Sequence, residues 1–83
     1  MSTVFLDIRQ AVIALENENE MHIRPDGCLT ITVDELRSFA LNARRVVPEQ
    51  GRVHDTLLTL GFKRAASGRY AIERADFKAL KGM

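Results

Sequence analysis

The hydrophobic period of this chain changes four times, and that alternation limits its fold more than any single motif does. Val4, Phe5, Ile8, Ala11, Val12 and Leu15 recur at offsets 0, 1, 4, 7, 8 and 11, which is one face of a helix. Ser2 or Thr3 is positioned to cap its start. The run "ENENE", residues 16–20, should end it, with Asn17 or Asn19 turning left-handed and three glutamates at the unfavourable negative end of the dipole. From Met21 the period falls to two: Met21 and Ile23 precede a Pro-Asp-Gly turn, and Leu29 and Ile31 follow it. A strand is expected over at least Cys28 to Thr32.

Thr32 and Glu35 then form a capping-box pattern, opening a second helix with Leu36, Phe39, Ala40 and Ala43 on its apolar face and an end near Arg44 and Arg45. Pro48 suits the first turn of a third helix over 48–60, in which Val53, Leu57 and Leu60 recur at 0, 4 and 7. Gly61 is placed to close it. Period two returns in "FKRA" and "RYAI", which flank the short connection "ASG" and predict a hairpin over 62–72. Phe77 and Leu80 before Gly82 predict a short closing helix. The expected architecture is one α+β domain spanning residues 1–83, in the order helix, strand, helix, helix, hairpin, short helix.

With 83 residues, such a domain buries roughly 60 to 65% of its unfolded surface. An apolar fraction of 46% with 28% charge fits a folded chain. No apolar run reaches the 18 residues of a spanning helix, the N-terminus has no signal-like block, and Cys28 has no partner cysteine, so a cytoplasmic location without a membrane is expected. Cys28 itself reads as a small buried hydrophobe. Net charge is only +1, yet it is unevenly spread: residues 1–35 carry seven acids against two arginines, and residues 36–83 carry ten cations against four acids. The second half is therefore suited to a polyanion or an acidic partner.

This order of elements, across about residues 3 to 73, resembles the winged-helix variant of the helix-turn-helix. The resemblance implies that the third helix enters the major groove of double-stranded DNA and that the hairpin is the wing. On that reading Gln50, Arg52, Asp55, Thr56 and Thr59 are the candidates for base edges, Gln50 suiting adenine and Arg52 guanine. Arg44 and Arg45 suit phosphates, and Lys63, Arg64 and Arg69 suit the backbone or a minor groove. Tyr70 reads as a core aromatic rather than a phosphate donor. The implied role is a small transcriptional regulator, or an accessory factor of the kind phage and plasmid genomes encode.

Against this, Asp55 and Leu58 fall opposite the core face of the third helix, and Leu41 lies off the face of the second. The alternative is a protein-binding adaptor or inhibitor that uses Leu41 and Leu58, or the acidic tract 16–20, to hold a partner. A homodimer through the first helix and the Phe77 and Leu80 helix is a further option. Catalysis is not expected. His22, Cys28 and His54 have no metal-ligand spacing, no phosphate loop is present, and no cofactor is called for. His54 next to Asp55 is not a dyad, because neighbouring helical side chains splay about 100° apart; it reads as a surface or groove-facing residue.

Overall fold

The computed structural model describes residues 3–83, so the possible cap at Ser2 lies outside the described residues. Helix α1 (Thr3–Asn17) buries Ile8, Ala11, Val12 and Leu15, and Thr3 is already helical rather than a cap. Asn19 takes the left-handed turn at φ 57°, and the Glu20 N–H reaches back to the Leu15 carbonyl at 3.0 Å. Of the two asparagines offered for that role, the structure uses the second.

Strand β1 (His22–Ile23) and strand β2 (Leu29–Thr32) pair antiparallel around the Pro-Asp-Gly turn, which needs φ +88° at Gly27. Met21 enters the core, but Ile23 stands half-exposed on the edge strand. Cys28 precedes β2 and is only partly buried, contrary to its reading as a core residue. Its backbone closes the turn instead: its N–H donates to Asp26 Oδ1 and its carbonyl accepts from the Arg24 N–H.

Helix α2 (Val33–Asn42) opens on the complete capping box: the Glu35 N–H donates to Thr32 Oγ1, and the Thr32 N–H to Glu35 Oε1, both at 3.0 Å. Leu36, Phe39 and Ala40 are buried. Ala43 is exposed because the helix ends one residue earlier, and Arg44 turns the chain at φ 56°. A left-handed arginine costs about 1 kcal/mol or more; here it lets the Arg45 N–H satisfy the Ala40 carbonyl at 2.8 Å.

Helix α3 (Gln50–Leu60) begins two residues after Pro48, which is a correction to the expected start. Pro48 is buried ahead of the helix, and its carbonyl accepts from Arg37 Nε at 3.0 Å, so α2 holds the connection down. Gly61 ends α3 in the left-handed region at φ 109°, where a side chain would strain the backbone. Strand β3 (Lys63–Arg64), a single 3-10 turn over Ala66–Gly68 and strand β4 (Arg69–Ile72) make the hairpin, and α4 (Arg74–Lys81) closes the chain.

The sheet order is β1-β2-β4-β3, all antiparallel, so β4 lies in the middle beside β2. Leu29 faces Ile72 and Ile31 faces Tyr70 across β2 and β4, and all four side chains are buried. They join α1, α2, α3 and α4 in one hydrophobic core that includes Val12, Leu36, Leu57 and Phe77. Phe77 and Leu80 are spent on this core, as are the buried residues of α1. Val4, Phe5 and Ile13 of α1 are only partly buried against it, and Leu6 is exposed.

Candidate nucleic-acid interface

Helix α3 is held by Val53, Thr56, Leu57 and Leu60, an i, i+3, i+4, i+7 set that points into the core. Thr56 is thus buried at 8% exposure, and its reading as a base contact is withdrawn: it lies three residues after Val53, on the same face. Arg52, Asp55, Leu58 and Thr59 are exposed away from that face, and Gln50 is exposed as the first residue of the helix. Thr59 Oγ1 donates to the Asp55 carbonyl at 3.1 Å, which leaves the hydroxyl oxygen able to accept.

Arg44 and Arg45 are exposed on the α2–α3 connection, and Lys63 and Arg64 on β3. Arg69 is different. Its guanidinium bonds both oxygens of Glu35, at 3.1 and 2.8 Å, and also Thr30 Oγ1 at 3.3 Å. It ties β4 to the start of α2, so it is a structural cation and not a free phosphate contact.

Burial alone would push the Glu35 carboxyl up, but the Arg69 hydrogen bonds, the Thr32 N–H and the Arg69 charge outweigh it and hold it below its ordinary 4.5. A depressed carboxylate stabilises the fold above its unfolded-state value, and that contribution is lost as pH falls through the native one. The urea midpoint of the native chain should therefore drop more steeply below about pH 4.5 than that of Glu35→Gln. Glu35→Ala, which also loses half of the capping box, should cost about 1 to 2 kcal/mol at neutral pH.

The residue that sequence reasoning placed least well is His54. It is half-buried, its Nδ1 is hydrogen-bonded to the Tyr70 hydroxyl, and Arg64 Nη2 donates to its Nε2 at 3.0 Å. Tyr70 is packed in the core as expected, and its hydroxyl end meets the histidine. Arg64 and Tyr70 are register partners across β3 and β4, so their proximity is a consequence of the hairpin. That α3 brings His54 onto them depends on the angle of the helix to the sheet, which no local pattern encodes.

Ion pairs among the described residues join Arg24 to Asp26, Arg69 to Glu35 and Lys81 to Glu16. Arg44, Arg45, Arg52, Lys63 and Arg64 are in none of them. Glu18, Glu20, Asp34 and Glu35 rim a cleft also lined by Leu15 and Phe39, so part of the acidic 16–20 tract does face a concavity. Glu16 instead turns to Lys81 at 3.6 Å. No described helix is long and apolar enough to cross a membrane.

The fold and these side chains define an α+β domain with exposed cations on the α2–α3 connection, on α3 and on β3. The chain matches no protein-family model, and no curated protein or solved structure is significantly similar to it.

Proposed function

We propose that this is a non-enzymatic double-stranded DNA-binding protein of the winged-helix type, a small transcriptional regulator or accessory factor that acts by occupying its site. Helix α3 would enter the major groove and the β3–β4 hairpin would follow the backbone. The observation that carries this reading is the set of five exposed cations, Arg44, Arg45, Arg52, Lys63 and Arg64, which have no carboxylate partner among the described residues. An unpaired cation keeps its full capacity to neutralise a phosphate and release a counterion. Gln50 and Arg52 in the first turn of α3 supply the bidentate pairings for adenine and guanine.

The test is fluorescence anisotropy with a labelled mixed-sequence duplex. Five phosphate contacts give a salt slope of about −4.5, so affinity should fall on the order of 500-fold between about 50 and about 200 mM salt. Absence of binding at the lower salt would reject the reading.

A second reading, a protein-binding adaptor or inhibitor on the same fold, is favoured by one specific observation. Leu41 and Leu58 are 66% and 42% exposed on α2 and α3. Under it Leu58→Asp breaks partner capture while charge reversal on the hairpin matters little.

A further inference from the structure

A guanidinium has no acceptor, so in the 3.0 Å contact between Arg64 and His54 it is Arg64 that donates. His54 Nε2 is therefore unprotonated, and the neutral ring carries its hydrogen on Nδ1, from which it donates to the Tyr70 hydroxyl. The ring meets the Tyr70 ring edge-on, with centroids 5.5 Å apart and planes at 68°. One imidazole thus joins α3, β3 and β4.

We propose that His54 and Arg64 form a phosphodiester-binding pair, closed while His54 is neutral and opened when its Nε2 takes up a proton. The identity of the ligand rests on the DNA-binding reading above. Protonation removes the acceptor that holds Arg64 and sets two cations side by side. Nδ1–H pins the half-buried histidine to Tyr70, whereas Arg64 stands on the exposed hairpin, so it is Arg64 that moves outward. A phosphate oxygen between them accepts from both Nε2–H and the guanidinium.

No internal group supplies that counter-charge. From β4 the ring is faced by Tyr70 and from β3 by Arg64. On the other elements packed against α3, Arg9 of α1 donates to the Leu80, Lys81 and Met83 carbonyls and Arg37 of α2 to Pro48. Asp7 of α1 lines the cleft that holds Arg52, and Glu35 of α2 is bound to Arg69. On α3 itself Arg52 and Asp55 are exposed. Among the described residues no carboxylate lies within ion-pair distance of His54. Anion binding and proton uptake therefore favour each other.

Two measurements on the full chain test this. Long-range 1H–15N spectra of the free protein, titrated from pH 8 to 5, should show His54 as the Nδ1–H tautomer at the high end. Sodium sulfate, at constant ionic strength, should raise the His54 midpoint but not that of His22, and Arg64→Gln should abolish the rise. An Nε2–H tautomer at pH 8, or a midpoint that sulfate does not move, would overturn the pair. These outcomes need no DNA. In the second, duplex affinity should increase by up to about tenfold per pH unit lowered toward the His54 midpoint, and His54→Gln should flatten that dependence while His22→Gln preserves it. Equal slopes in the native chain and His54→Gln would overturn the coupling to phosphodiester. A sulfate effect with no duplex binding at any pH would overturn the DNA assignment alone.

Discussion

Arg52→Glu combined with Lys63→Glu is expected to weaken duplex binding at about 50 mM salt by at least 100-fold, with the thermal melting temperature unchanged within a few degrees. The two residues stand on different elements, α3 and β3, and both are exposed without an ion-pair partner among the described residues. Each reversal removes one phosphate contact and adds one repulsion, so the double variant shifts the net charge of the face by four units. The salt slope should fall from about −4.5 to about −2.7 as two of five contacts disappear. Lys63 is a cleaner choice than its neighbour Arg64, whose replacement would also free His54. Electrophoretic mobility and anisotropy report the binding, and circular dichroism reports the fold. If the double variant binds as the native chain does, the basic face is not the interface, and the exposed leucines become the place to look.

What was legible in the sequence is what short-range physics controls. The Thr32–Glu35 capping box, the left-handed Gly61 and the switch to period two after it each act within four residues, and each is present in the structure. The strand order was less accessible, because pairing β2 with β4 joins residues about 40 positions apart and depends on how three helices pack. The same limit applies to the candidate interface. Arg69 looked like another hairpin cation, yet Glu35, 34 residues earlier, claims it through two hydrogen bonds. Pro48 reads as a helix starter from its ring alone, but Arg37 takes its carbonyl and the helix begins later. Thr56 could have been assigned correctly from periodicity, since Val53, Thr56, Leu57 and Leu60 complete one face. A threonine there is easily taken for a polar surface residue because its methyl group, which suits the core, is overlooked.

Leu57 and Leu58 are adjacent in sequence and should differ by several kcal/mol, on the order of 2 to 5, in what it costs to cut each to alanine. Leu57 is 0% exposed and belongs to the central core cluster, whereas Leu58 is 42% exposed on the far side of the same helix. Leu57→Ala removes three buried carbons and leaves a cavity between α3 and its neighbours, a change that costs about 2 to 5 kcal/mol. A domain of 83 residues has about 4 to 12 kcal/mol in total, so this variant should lose a large part of its urea midpoint and be partly unfolded near 37 °C. Leu58→Ala should stay within about 0.5 kcal/mol of the native chain. Helix propensity barely distinguishes the two sites, because alanine is at least as favourable as leucine in both. The difference therefore measures burial alone and checks the rotational phase of α3 about its axis. That phase decides which residues can reach a groove: with Leu57 inward, Arg52 and Thr59 face outward together, whereas Gln50, seven residues before Leu57, is exposed at the helix start. Equal costs at the two positions would mean that α3 is rotated, and the basic face would then have to be redrawn.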